Sequence, residues 1–164
     1  MYSGKKAACL FLLGVFLVQT SSKGIEFLKA SEGFRSDPYF DGGGYMTVGY
    51  GHLIKSGEDY GEGLTKEEAE RLLEADLQEA ETVVEVYVDV PLKQHQYDAL
   101  VSFAFNVGSS NFKKSTLLRL LNEGKYEEVP KQLLRWNKSG GKVLKGLTKR
   151  RKREAEIFRE GNYE

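Results

Sequence analysis

Glu32-Gly33-Phe34-Arg35-Ser36-Asp37-Pro38-Tyr39-Phe40-Asp41-Gly42-Gly43-Gly44-Tyr45-Met46-Thr47 is the stretch around which the rest of the chain is read. Just before it, apolar residues at 25, 27, 28 and 30 recur at helical spacing, which predicts an amphipathic helix stopped by Gly33. Glu32 then falls in the last turn. The helix C-terminus carries partial negative charge, and with partial burial such an acid could keep its proton near neutral pH. Asp37-Pro38 predicts a turn, and Gly42-Gly43-Gly44 supplies the positive-φ positions of a tight hairpin, with Asp41 beside it. Beyond the hairpin, alternation puts Met46, Val48 and Tyr50 on one strand face and Thr47, Gly49 and Gly51 on the other. If the first face packs inward, Thr47 looks into open space lined by glycine. Two carboxylates in unlike surroundings, with a hydroxyl nearby, are the working parts of glycoside cleavage.

Working outward, the order Glu32, Asp41, Thr47 resembles the catalytic pattern of phage-type lysozymes, or endolysins. Thr47-Val-Gly-Tyr-Gly-His52 is similar to the strand of that family. Phe103-Ala-Phe-Asn-Val-Gly108, Ser115-Thr-Leu-Leu-Arg119, Trp136 with Gly140-Gly141, and Gly146-Leu147 with Arg150-Arg151 are similar to its helical half. The resemblance covers about residues 23 to 160. It implies an α+β, two-lobed lysozyme fold and hydrolysis of the β-1,4 bond between N-acetylmuramic acid and N-acetylglucosamine in peptidoglycan. It further implies inversion, no cofactor and a role in host cell lysis. Glu32 would be the general acid, while Asp41 stabilises the oxocarbenium-like transition state and, with Thr47, positions a water. Asp37 is the rival carboxylate, more simply explained by the turn before Pro38. Arg150 would approach the acid from the C-terminal helix, or else belong to the solvated run from Lys149 to Arg153. Leu53, Phe105 and Gln132 fall where the family lines its sugar cleft, and each is also explicable as plain core or surface. Trp136 is read as core.

At 164 residues the chain is one compact domain or two small subdomains, and 40% hydrophobic with 29% charged content is ordinary for a globule. The net charge is zero, yet residues 58 to 89 hold twelve acids against Lys66 and Arg71, whereas residues 131 to 153 hold ten Lys or Arg and no acid. One end should be negative and the other positive, the positive end favouring anionic polymers. Cys9 is the only cysteine, so no intramolecular disulfide forms. Two His and one Cys argue against zinc, and no metal is expected. The basic run carries no recognisable nucleic-acid reading element. The partner is peptidoglycan, and the chain is expected to be a monomer.

Residues 1 to 22 precede the family-like body. Lys5 and Lys6 lead into twelve uncharged residues, Ala7 to Val18, short for a membrane span of about 20 residues and suited to a signal h-region. Three readings compete: a cleaved signal peptide, a releasable membrane anchor over residues 5 to 20 similar to the signal-anchor-release segments of some endolysins, and an extra folded helix. The first two take the chain from the host cytoplasm to the periplasm and wall, the second with a transient tether to the inner membrane.

Along the body, residues 34 to 62 form a Gly-rich β subdomain. Thr65-Lys-Glu-Glu68 is a capping box opening a long helix to about 85 that links the lobes. Its apolar stripe (Ala69, Leu72, Leu73, Leu77, Ala80, Val83, Val84) is interrupted by Asp76, for which His52 is the candidate partner. Pro91 is expected to start the next helix, which ends at Gly108, and helices at 115–122, 127–136 and 147–160 complete an all-α lobe over 91–160. The alternative to an enzyme is a catalytically silent wall-binding or membrane-disrupting protein acting through its basic C-terminal segment.

Overall fold

The computed structural model describes residues 18–41 and 44–164. The expectations for the apolar run, and for Gly42 and Gly43, lie outside the described residues. Helix α1 spans Ser22–Glu32; the Ser21 side chain caps it by accepting from Gly24 N, and Gly33 closes it. Three antiparallel strands follow, β1 Arg35–Phe40, β2 Met46–Gly49 and β3 His52–Leu53, in the order β1-β2-β3. Asp37-Pro38 is not the expected turn: it lies inside β1, where the register with β2 slips between Arg35 and Tyr39. A proline is tolerated there because β1 is an edge strand and the irregularity removes the need for its missing N–H.

Helix α2, Lys66–Tyr87, carries the expected capping box, with Thr65 Oγ1 and the Glu68 carboxylate satisfying each other's backbone N–H groups. Helix α3, Gln94–Val107, begins three residues later than Pro91 suggested. Pro91 sits in the extended link, its carbonyl accepting the Tyr126 hydroxyl at 2.7 Å. All residues from Tyr97 to Ala104 are buried, so α3 is the axial helix of the lobe. Short helices α4 (Ser109–Lys113) and α5 (Thr116–Asn122) follow. Ser115 caps α5 through Leu118 N and donates to Phe112 O.

The helix expected over 127–136 is shorter. A 3-10 turn at Tyr126–Glu128 leads into α6, Val129–Leu133, with Pro130 harmless in its first turn. Tight bonds from Arg135 N to Gln132 O and Trp136 N to Leu133 O then end it. That turns the Trp136 ring edge-on to Phe103, with centroids 5.4 Å apart, as core rather than sugar platform. A two-stranded hairpin, β4 Lys138–Ser139 and β5 Lys142–Val143, turns at Gly140-Gly141 before α7, Lys145–Glu160.

The core joins Leu73, Leu77 and Val84 of α2 to Leu100 and Phe103 of α3 and to Ile157 and Phe158 of α7. Helix α1 is fastened to this core at its start. Asp98, 2% exposed, accepts from Ser21 N (3.0 Å), Ser21 Oγ (2.5 Å), Gln94 Nε2 (2.9 Å) and the Tyr163 hydroxyl (2.5 Å). Thr20 N and Oγ1 both donate to Glu81 Oε1 on α2. The chain is thus anchored two residues ahead of the helix whose far end carries Glu32.

Candidate active site

Glu32 is the last residue of α1, its side chain 20% exposed. Arg150 Nη1 donates to Glu32 Oε1 at 2.5 Å. The other carboxylate oxygen faces Gly51, in the turn between β2 and β3. A Cβ on Gly51 would stand 3.5 Å from Glu32 Oε2, and φ there is +83°, so glycine keeps both the backbone turn and the space before the acid. Arg150 and Arg151 are buried, which removes both from the solvated face that the run from Lys149 to Arg153 suggested.

Asp41 is exposed at the hairpin, and its Oδ1 accepts from Tyr45 N at 2.9 Å. Asp41 N donates to Tyr45 O, which also receives the Thr47 hydroxyl at 3.0 Å. One residue's backbone therefore ties Asp41 to Thr47. Thr47 is not in open space: it is 4% exposed, and Met46, expected inward, is 37% exposed at the strand's outer end. Both faces of the strand are covered: Thr47 and Val48 are buried alike, and the glycine face is covered at Gly49 by Ala69 of α2. Asp37 lies in β1 and accepts from Ser36 Oγ at 2.6 Å, a side-chain bond to its chain neighbour, so the turn expected to explain it is not formed.

A groove of about 390 Å³ runs from Gly51 past Leu53, Asp76 and Glu79 to Phe105 and Ser109. Two of the three expected cleft residues, Leu53 and Phe105, thus share one groove, which begins at the glycine in front of Glu32. Gln132 is on α6, half-buried, its amide oxygen 3.5 Å from Arg135 Nη1. A second cavity, about 560 Å³, is lined by Glu32 itself with Phe27, Asn106, Leu147, Lys149 and Arg153 among others.

His52, 4% exposed, pairs with Asp76 through Nδ1 at 2.7 Å, as expected, and through Nε2 with Glu58 at 3.0 Å, which the sequence did not suggest. Burial favours the neutral ring, but the bonds to Asp76 and Glu58 outweigh it and hold its pKa above the ordinary 6.5. Sequence reasoning also missed Glu154 and Ser102, both fully buried behind Arg150. Burial pushes the Glu154 carboxyl up against the pull of Arg151 and Arg150, and pushes Arg151 down to about 10 against the pull of Glu154. Among the described residues, no group of His, Cys, Asp or Glu could hold a metal ion.

A small antiparallel sheet packed on a long helix, an all-α lobe beyond it and a helix-end acid facing a groove-lining glycine together define the two-lobed lysozyme fold. Residues 29–154 match the family model described as phage lysozyme. Over 145 residues the chain is 43% identical to the endolysin of Bacillus phage B103, covering 86% of this chain and 54% of that protein. Over 128 residues it is 42% identical to the SAR-endolysin of bacteriophage PS119, covering 77% and 75%. The solved endolysin from Escherichia coli O157:H7 phage FAHEc1 superposes with a TM-score of 0.82 at 33% identity, covering 89% of this chain and 96% of that one. The chain belongs to the phage lysozyme family. It spans about half the length of the Bacillus phage relatives it matches.

Proposed function

We propose that this chain is a muramidase that cleaves the β-1,4 bond between N-acetylmuramic acid and N-acetylglucosamine in peptidoglycan, acting as a monomer and without a cofactor. The observation that carries the reading is the setting of Glu32: one oxygen held by Arg150, the other facing Gly51, a glycine that also lines the groove of Leu53 and Phe105. In this reading Glu32 gives its proton to the glycosidic oxygen as the C–O bond breaks. Asp41 faces the oxocarbenium-like carbon and, with Thr47, holds the attacking water on the opposite side of the sugar. The shared anchor at Tyr45 would keep those two groups in step. Inversion calls for room for that water, with carboxyls roughly 6.5 to 9.5 Å apart. Leu53 and Phe105 would line the sugar path, with Gln132 as a more distant contributor.

Replacing Glu32 with Gln keeps shape and removes the acid. The variant should fold and release no new reducing ends from purified cell walls. Wall clearing at the wild-type rate would end the enzyme reading. Membrane disruption by the basic segment would instead permeabilise vesicles without releasing reducing ends.

The site of action we infer is the periplasm and wall of the host, reached from its cytoplasm with residues 5 to 20 as a transient anchor in the inner membrane. The likeness to the PS119 SAR-endolysin supports this. Among the described residues no helix is long and apolar enough to cross a membrane. Equal membrane partitioning of the full chain and of a chain starting at Gln19 would remove the anchor.

A further inference from the structure

Glu32 contacts Arg150, but Arg150 is itself gripped from behind. Its Nε lies 3.2 Å from Glu154 Oε1. Its Nη2 lies 3.3 Å from both the carbonyl and the hydroxyl of Ser102. Ser102 Oγ also donates to Glu154 Oε1 at 2.7 Å, closing a ring of three side chains. Both Ser102 and Glu154 are 0% exposed. Two of the three guanidinium nitrogens are therefore fixed from α3 and α7, and the third points at the acid. Glu154 is faced by Arg150 and Arg151 from its own helix and by Ser102 from α3. Glu32 is faced by Arg150, with Lys149, Arg153 and Asn106 lining the same cavity.

We infer that Glu154 and Ser102 are positioning residues for the proposed acid: they lock the Arg150 fork so that it holds Glu32 Oε1 and leaves Oε2 turned toward Gly51. The inference rests on the reading of Glu32 as the general acid. A free arginine samples many rotamers, whereas a planar fork bonded on two edges has one direction left. A buried acid in the middle of a helix has no solvent to hold its charge. Its position is explained by what it orients better than by stability, since buried ion pairs often give no net stabilisation against apolar replacements.

Glu154→Gln keeps the shape and removes the charge, and Ser102→Ala opens the ring without touching Arg150 or Glu154. Each is measured on defined wall oligomers, with folding checked by thermal melting. Turnover should fall about 10- to 100-fold with KM within about twofold, as for a misplaced catalytic group. In Glu154→Gln, Arg150 loses its rear carboxylate, so its positive charge is left uncompensated behind the site. The alkaline limb of the pH–activity profile should therefore move downward. Glu154→Asp, which keeps the charge, should restore the limb to its wild-type position. Glu156→Gln, the same charge change on a half-exposed turn of α7, should leave turnover and the profile unchanged. A folded Glu154→Gln with wild-type turnover and an unmoved profile overturns the inference. If that variant does not fold, wild-type turnover in Ser102→Ala overturns it. Activity retained by Glu32→Gln would instead sink the acid assignment itself, so the two failures are distinguishable.

Discussion

Arg150 and Lys would carry the same charge at the same place, yet they would not do the same job. Arg150 meets Glu32, Glu154 and Ser102 with three separate nitrogens, and an ammonium cannot span them. Arg150→Lys should therefore fold and lose about 10- to 100-fold in turnover, measured by reducing-end release. His52 belongs to stability instead. Its folded pKa is raised, so its contribution is fully present below about 6.5 and is lost as pH rises through the higher folded value. His52→Asn should cost about 1 to 3 kcal/mol at pH 5.5 in urea unfolding, shrinking toward alkaline pH, with turnover nearly unchanged. A large fall in turnover in the folded variant would make His52 a catalytic group. The sequence made the Asp76 partnership legible because a lone acid broke an apolar stripe. Glu58, in a loop, followed no period and gave no such signal.

At the scale of elements, α1 is the lever that carries Glu32, and its start is packed without slack. A Cβ on Gly24 would come 2.7 Å from Thr20 Cγ2 and 2.8 Å from Asp98 Cγ. Gly24→Ala should thus lower the melting temperature, although alanine is favoured over glycine in a free helix by about 1 kcal/mol. A stabilised variant would show that the Asp98 knot yields. The helices with strong periodic signals, α1 and α2, were legible in the sequence to within about two residues, and α3 was legible at its end but began later than Pro91 suggested. α6 was not, because 3-10 winding ended it before its pattern did, and neither was the short α4. In α7, Leu147, Arg151, Glu154 and Phe158 recur at spacings of four, three and four. Charged residues thus occupy the buried stripe, and a hydrophobicity pattern reads them as surface. That spacing was the one available signal for Glu154.

For the whole molecule, fold class and the candidate acid were legible because Glu32, Asp41, Thr47 and the motifs of the helical half stand in one order along the chain. What the order could not convey was the clamp that aims the acid, which is assembled from α1, α3 and α7. The body also begins earlier than composition suggested, since Thr20 and Ser21 are bonded to α2 and α3. A chain starting at Gln19 should melt as the described body does, whereas one starting at Lys23 loses its helix cap and should be less stable by about 1 to 3 kcal/mol in urea unfolding. Equal midpoints would show that the bonds of Thr20 and Ser21 add nothing to stability. The central claim, that Glu32 is the acid that cleaves the wall glycan, is tested most directly by counting new reducing ends released from purified peptidoglycan by wild type and by folded Glu32→Gln. The account predicts steady release by the first and none above background by the second; equal release by both would contradict it.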